Sequence, residues 1–210
     1  GYRALFNGNV FKHKKVNTKV TDAFNKIQYG YYSTLKIERE IKKELLKLNK
    51  KYNLYIISSC SEKTLNTYSE NNNVHNLFNE VLGYETHTSK EHKFEMILKK
   101  YKLKKEECIF VTDTLGDILE ANNIGIKTIA VDFGFHSRKN LEKGKPFKII
   151  SDFKEISIII KSIWYLFLLI KLFLDIIINL FWIYIIMIKA IIFDFDGVIE
   201  NNYELHYTLM

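Results

Sequence analysis

Short apolar segments separated by helical patterns constrain the fold of this chain more than any other feature. The strongest are "NLYIISSC" (53–60), "ECIFVTD" (107–113) and "KTIAVDFG" (127–134), with a weaker one in "LFNEVLGYE" (77–85). Continuous apolar runs of this length are typical of strands buried on both faces of a parallel sheet. The helical patterns between them cover 61–71, 90–103 and 115–125. The alternation predicts an α/β protein with a Rossmann-like parallel sheet and right-handed crossovers.

A further strand pattern lies near the end of the chain, in "MIKAIIFDFDGVIENN" (187–202). Its apolar run leads into Asp194 and Asp196, which are one residue apart and precede Gly197. Ligands of parallel sheets bind at the carboxyl ends of the strands, so polar residues at these positions are candidates for a site. The candidates after the other strands are Ser58, Ser59, Asp113 and Asp117.

These residue types point to phosphate chemistry. Several carboxylates at one sheet edge repel one another unless a hard divalent cation neutralises them, which predicts Mg²⁺ with oxygen ligands. The helical pattern at 90–103 begins with two lysines, Lys90 and Lys93, and Ser58 supplies a hydroxyl. A carboxylate, Mg²⁺, a hydroxyl and a lysine are the groups that phosphoryl transfer requires.

Four features carry a family resemblance: "FDFDGV", "YIISS", the lysine at the start of the helical pattern at 90–103, and "FVTDTLGDILEA". They resemble the motifs of the haloacid dehalogenase (HAD) superfamily, specifically its phosphoglycolate-phosphatase-like members. The resemblance implies that Asp194 is a nucleophile forming an aspartyl-phosphate, and that Asp196 protonates the leaving oxygen and then activates water. It also implies phosphate-binding residues and a metal site. The phosphate-binding set is Ser58, Ser59, Lys90 and, as the alternative lysine, Lys93; the metal ligands are Asp113, Asp117, Asp194 and Asp196.

The order of these motifs departs from that of the family, because the segment with Asp194 follows the others instead of preceding them. Two interpretations stay open. The chain is a circular permutant, or it is one such protein read through a spacer into a neighbouring copy, which Met187 favours; the start at Gly1 hints at a fragment. In both cases we expect strand 189–194 to lie between the strands that end at Ser58 and Asp113, within one chain or by exchange between chains.

The same features divide the chain into four parts. Residues 1–50 are polar and helix-forming, and we expect them to form part of a small helical cap over the substrate. Residues 51–156 are the predicted core, and 157–188 are a hydrophobic helical segment or linker. Residues 189–210 are the strand that carries Asp194 and the start of the following helix.

The hydrophobic segment has three interpretations. Between Ser162 and Ile188 only Lys171 and Asp175 are charged, and the segment exceeds the roughly 20 residues that span a bilayer. It is therefore a transmembrane or membrane-lying helix, a spacer read through as protein, or an extra hydrophobic helix packed on the domain.

Charge and cysteine content limit the partners and the compartment. The net charge of +7 comes with lysine clusters such as 98–107, which lies beside Glu on a helical pattern and is typical of a solvated helix face, so we expect no nucleic-acid partner. Cys60 and Cys108 adjoin apolar runs without metal-binding spacing. They predict buried, reduced thiols and a cytoplasmic protein, with membrane association through 157–188 left open.

Together these observations predict a Mg²⁺-dependent phosphomonoester hydrolase for a small phosphorylated metabolite, such as a sugar phosphate or phosphoglycolate. A receiver-like phospho-acceptor module uses similar groups but gives no role to Asp196. An inactive or membrane-associated fragment, whose site never assembles, is the third alternative. The sequence determines neither the substrate nor the oligomeric state.

Overall fold

The sheet has the predicted parallel arrangement. The computed structural model describes residues 26–178 and 187–200. Within those residues, six strands pair in parallel in the order β2-β1-β6-β3-β4-β5. The strands are β1 (Asn53–Ile57), β2 (Phe78–Leu82), β3 (Cys108–Thr112), β4 (Lys127–Val131), β5 (Lys148–Ile150) and β6 (Ala190–Phe193). The predicted α/β, Rossmann-like fold class is confirmed.

Helices connect the strands, and local sequence defines where they begin. They are α1 (Arg39–Asn49), α2 (Glu62–Asn71), α3 (Lys90–Lys100), α4 (Leu115–Ile124), α5 (Arg138–Glu142) and α6 (Glu155–Ile178), and residues 26–32 are also helical. The side chain of Ser61 caps α2 by accepting a hydrogen bond from the Thr64 amide at 3.2 Å. Neither Ser58 nor Ser59 is the capping residue of this helix.

The last strand in the chain, β6, occupies the centre of the sheet. Ile191 lies opposite Leu54 of β1 on one side and opposite Ile109 of β3 on the other. All four residues of β6 are buried. This is the predicted position of the segment, between the strands that lead to Ser58 and Asp113. Exchange of the strand between chains stays an open prediction.

Alternate residues of the strands face two hydrophobic clusters, as the period of two in a strand requires. On one face, α1, α6 and residues 26–32 pack on the sheet through Tyr32, Ile41, Leu45, Leu48, Ile156 and Ile160. On the other face, α3 and α4 contribute Phe94, Ile97 and Ala121. The described part of the predicted cap therefore packs against the sheet; its boundaries stay a prediction, and residues 1–25 lie outside the described residues.

The first turns of α6 also belong to the domain. Ile156 and Ile160 are buried against the sheet, whereas Ile158 and Trp164 on the same helix are exposed. No helix among the described residues is long and apolar enough to cross a membrane. The transmembrane interpretation of 157–188 is thus not supported. Packing on the sheet is seen only for the first turns of α6, so the interpretation of 157–188 as an extra packed helix stays a prediction. Residues 179–186 lie outside the described residues.

The central position of β6 can be tested through stability. Ile192 is fully buried, so Ile192→Ala removes buried methyl groups and leaves a cavity. We expect the free energy of unfolding to fall by about 2–5 kcal/mol in chemical denaturation. The matched control is Ile158→Ala, which truncates a side chain that is 63% exposed. It should change stability by less than about 0.5 kcal/mol. Equal, small effects of both variants would mean that β6 does not pair in the sheet.

Candidate active site

Asp194 is the first residue after the central strand. Its amide donates to the carbonyl oxygen of Val111 at 2.8 Å, which extends the pairing with β3. Its Oδ1 accepts from the amide of Phe195 at 2.8 Å, and its Oδ2 lies 2.6 Å from Lys90 Nζ. The side chain is buried. The carboxylate is therefore fixed at the carboxyl end of the sheet, where ligands of parallel sheets bind.

Lys90, the first residue of α3, lies between two carboxylates. Its Nζ is 2.6 Å from Asp194 and 2.5 Å from Asp117 Oδ2. The same oxygen of Asp117 also accepts from the Thr112 hydroxyl at 2.8 Å. Three elements therefore surround Asp194 and form the carboxylate–lysine cluster with it: β3 contributes Thr112, α3 contributes Lys90 and α4 contributes Asp117.

One ammonium group does not neutralise this cluster. Burial acts to lower the pKa of Lys90, but Asp117 and Asp194 outweigh it and raise that pKa overall. Burial acts to raise the pKa of Asp117, yet Lys90 and Asp194 bring it down to about 2. The pKa of Asp194 is raised, by burial and then by the nearby carboxylates, which outweigh the attraction of Lys90. Asp194 therefore holds a proton more tightly than an ordinary aspartate does.

Asp113 adds a further buried carboxylate. Its Oδ2 accepts from the amide of Phe135 at 2.6 Å, whereas its Oδ1 has no hydrogen-bond partner among the described residues. Two glycines leave room for it: a Cβ at Gly134 or at Gly197 would come within 2.0 Å of the Asp113 side chain. Burial raises the pKa of Asp113 to about 7, and Asp117 adds to this effect.

Asp196 has a separate set of partners. Its Oδ1 accepts a short hydrogen bond from the hydroxyl of Tyr32, and its Oδ2 lies 3.1 Å from Cys60 Sγ. Tyr32 and Cys60 are both buried. Neither was predicted as a site residue, and Tyr32 stands in a polar stretch where no motif marks it.

The predicted phosphate-binding residues differ in position. Ser58 is buried, and its hydroxyl accepts from the amide of Cys60 at 3.0 Å, while Ser59 is exposed. Lys93 donates to the Ser58 carbonyl oxygen at 2.6 Å instead of to a carboxylate. Burial, followed by repulsion from Lys90, lowers the pKa of Lys93 to about 8. Of the two lysines, Lys90 is the one in contact with Asp194.

The predicted metal ligands are not arranged as a finished coordination sphere. No group of three or more His, Cys, Asp or Glu side chains in the described part of the chain is positioned to hold a metal ion. The contacts explain this, because Lys90 binds Asp117 and Asp194 while Tyr32 binds Asp196. The unpartnered Oδ1 of Asp113 is the exception. The assignment of the four aspartates as Mg²⁺ ligands stays a prediction.

A cavity of about 320 Å³ lies at the opposite end of the sheet. Its lining includes Lys51 and Tyr52, which precede β1, and Met187 and Ile188, which precede β6. It is therefore at the amino ends of the strands and is separate from the carboxylate cluster.

The fold and the carboxylate–lysine cluster define a Rossmann-like α/β protein with a polar site at the end of its central strand. The family model described as haloacid dehalogenase-like hydrolase matches residues 4–131, and the chain belongs to that family. This result favours a hydrolase over the receiver-like alternative. The match ends before β6, so it does not assign roles to Asp194 and Asp196.

Several solved structures resemble this one. A haloacid dehalogenase-like hydrolase from Streptococcus pneumoniae is 26% identical, with a TM-score of 0.52 over 55% of each chain. A predicted phosphoglycolate phosphatase from Haemophilus somnus is 23% identical, with a TM-score of 0.54 over 58% of this chain and 56% of that one. CbbY from Rhodobacter sphaeroides, in complex with xylulose-(1,5)bisphosphate, is 13% identical, with a TM-score of 0.57 over 66% and 64%.

The present chain thus spans a little over half the length of the first two structures, at 55% and 56%. No curated protein matches the chain. The comparisons support membership of a hydrolase family whose structural neighbours include phosphatases, and at these identities the latter two structures support the fold alone.

The different environments of the two lysines predict different costs of removing them. Lys90→Met leaves the buried Asp194 and the partly buried Asp117 without their cation, so we expect a loss of about 3–5 kcal/mol in the free energy of unfolding at pH 8. The loss should be smaller at pH 5, because the raised pKa of Asp194 allows it to take up a proton there.

Lys93→Met is the matched comparison. It removes a buried ammonium whose pKa is already lowered, together with one hydrogen bond to Ser58, so we expect a loss of about 1 kcal/mol. Urea denaturation at the two pH values measures both variants. An equal or larger cost for Lys93→Met would contradict the assignment of Lys90 as the cation of the cluster.

Proposed function

We propose that this protein is a Mg²⁺-dependent phosphomonoester hydrolase that acts through an aspartyl-phosphate on a small phosphorylated metabolite. The observation that carries the proposal is the position of Asp194 at the end of the central strand, held by Lys90 at 2.6 Å. Asp196 follows two residues later and has its own hydrogen-bond donors. Membership of the haloacid dehalogenase-like hydrolase family supports the same reaction class.

In the first step, a carboxylate oxygen of Asp194 attacks phosphorus, and the bond between phosphorus and the leaving oxygen breaks. Asp196 in its protonated form gives its proton to that oxygen, so the alcohol leaves neutral. Lys90 lies beside the attacking carboxylate and offsets part of the negative charge that collects as the phosphoryl group approaches. Ser58, at the end of β1, supplies a hydroxyl toward the phosphoryl oxygens.

In the second step, Asp196 accepts a proton from water, and the resulting nucleophile attacks phosphorus. The bond between phosphorus and Asp194 breaks, which releases inorganic phosphate and restores the Asp194 carboxylate and the protonated form of Asp196. Asp196 therefore acts as the general acid in the first step and as the general base in the second.

The residues fit a magnesium ion in charge and in donor type. Asp113 Oδ1 is buried without a hydrogen-bond partner among the described residues, and burial raises the pKa values of both Asp113 and Asp194. Hard carboxylate oxygens are the ligands that Mg²⁺ prefers. When bound, Mg²⁺ would offset negative charge on the phosphoryl group and favour ionised Asp194. We assign Asp113 and Asp194 as its principal ligands, with Asp196 adjacent, and Asp117 as the residue that holds Lys90.

The proposed substrate class rests on the chemistry of the site, and two structural neighbours only indicate which compounds to screen first. A single lysine with a hydroxyl and a metal ion suits one terminal phosphate group. The Haemophilus somnus protein is named as a predicted phosphoglycolate phosphatase, and the Rhodobacter sphaeroides structure contains a sugar bisphosphate. Small phosphorylated acids and sugars are therefore the substrates to screen first.

The direct test is hydrolysis of p-nitrophenyl phosphate with Mg²⁺. We expect turnover by the full chain and a loss of at least about 1,000-fold in Asp194→Asn, because an amide cannot form the acyl-phosphate. The control is Asp152→Asn, which makes the same change at an exposed aspartate next to α6 and should leave the rate unchanged. A folded full-length chain without phosphatase activity toward any phosphomonoester would refute the proposal. Equal rates in Asp194→Asn and the parent would refute the role of Asp194.

The metal assignment has a test that does not depend on turnover. In chelator at pH 8, Asp113→Asn should be more stable than the parent by on the order of 2 kcal/mol, since it removes a buried charge. The sign follows from the raised pKa of Asp113, which is about 7 in the folded protein and near 3.8 in the unfolded chain. Protonated Asp113 therefore contributes its full stability below about pH 4, and this contribution is lost as the pH rises through 7. The advantage of the variant should therefore vanish near pH 4.

Added Mg²⁺ should reverse this order at pH 8. Binding to the native state raises the unfolding temperature of the parent by mass action, while Asp113→Asn lacks the ligand and should respond weakly. Thermal unfolding across a Mg²⁺ titration measures both proteins. An equal response of the two would show that Asp113 is not a ligand.

A further inference from the structure

We propose that the helical segment 26–32 is a positioning element for Asp196, acting through Tyr32 directly and through Gln28 by way of Cys60. The inference rests on the proposed function, in which Asp196 is the acid and base. It identifies three residues outside the sequence motifs as determinants of how well the protein expels poor leaving groups.

Tyr32 is the direct link. Its hydroxyl donates a short hydrogen bond to Asp196 Oδ1, and the residue is only 1% exposed. The ring packs against Phe195, with centroids 5.5 Å apart, and edge-on against Tyr68, with centroids 6.4 Å apart. Burial, followed by the nearby Asp196 carboxylate, raises the pKa of Tyr32, so the hydroxyl remains a donor across the neutral range. A buried, laterally packed ring of this kind fixes the direction of the hydrogen bond.

The second link runs from Gln28 through Cys60. Gln28 Nε2 donates to Cys60 Sγ at 3.0 Å, and Cys60 Sγ lies 3.1 Å from Asp196 Oδ2. Gln28 and Tyr32 are four residues apart and so lie on the same face of the helical segment. The segment therefore contacts Asp196 Oδ1 directly through Tyr32, and it holds the Cys60 thiol that contacts Oδ2.

Two fixed donors restrict rotation of the Asp196 carboxyl group. Proton transfer to a leaving oxygen depends on this orientation, and positioned general acids contribute on the order of 100- to 10,000-fold to rates. The benefit is greatest when the leaving group is a basic alkoxide. It is small for p-nitrophenolate, which departs without protonation. Loss of positioning should consequently appear as a change in leaving-group dependence.

The experiment compares kcat/KM for n-propyl phosphate and p-nitrophenyl phosphate, since kcat/KM reports only the steps up to departure of the first product. In Tyr32→Phe we expect kcat/KM for n-propyl phosphate to fall about 10- to 100-fold, and that for p-nitrophenyl phosphate to change by less than about threefold. Cys60→Ala should show a weaker form of the same pattern. Cys60→Ser keeps a hydrogen-bond donor, so kcat/KM for n-propyl phosphate should return toward the value of the parent.

Tyr68→Phe is the matched control. Tyr68 is equally buried and lies in the same aromatic cluster, but its hydroxyl has no hydrogen-bond partner among the described residues. We expect both substrates to be unaffected by this change. Equal losses for the two substrates in Tyr32→Phe would indicate a merely structural role and overturn the inference while leaving the proposed function intact. Absence of turnover in the parent would instead overturn both.

Discussion

The hydrogen bonding of β6 along both of its edges is the constraint on which the rest of the structure depends. Four residues, Ala190–Phe193, hold together the two halves of the sheet, because β1 and β3 each pair with β6 and not with each other. The same pairing brings the residues after three strands to one edge. Ser58 follows β1, Asp194 follows β6 and Asp113 follows β3, so the site exists only where the two halves meet.

The charges at this edge of the sheet reduce the stability of the protein. Asp113 and Asp194 are buried beside the partly buried Asp117 and the ammonium of Lys90, and burial raises the pKa values of Asp113 and Asp194. A buried charge without full compensation costs free energy. The close approach of Gly134 and Gly197 to Asp113 means that the backbone itself is built around this carboxylate, and a side chain at either position would collide with it.

Much of this arrangement could be predicted from sequence because it depends on local patterns. The strands leading to Ser58 and Asp113 have long apolar runs. The central position of the strand before Asp194 was expected from the motif order of the family that the chain resembles, and not from its local pattern. By contrast, β5 (Lys148–Ile150) and α5 (Arg138–Glu142) are too short to produce a clear period, and neither was predicted. The preference for Lys90 over Lys93 agrees with its contact to Asp194.

The partners of Asp196 could not be predicted in the same way. Tyr32 meets Asp196 only through tertiary packing, and its neighbours in sequence carry no motif. Cys60 was predicted correctly to be buried, but its contact with a carboxylate depends on the turn after β6. The glycines beside Asp113 did offer a signal, since each follows an aspartate-containing strand end, where close backbone approach is common.

The position of β6 in chain order has a consequence for biosynthesis. Its partners are made early, and every other strand of the sheet precedes it, so a nascent chain carries β1 and β3 with unpaired inner edges until the last strand leaves the ribosome. Open edges are templates for pairing with other chains. Contacts between such distant parts of a sequence also form slowly. The inner edges of β1 and β3 are consequently open for longer during synthesis than in a chain with the same sheet whose central strand is made first.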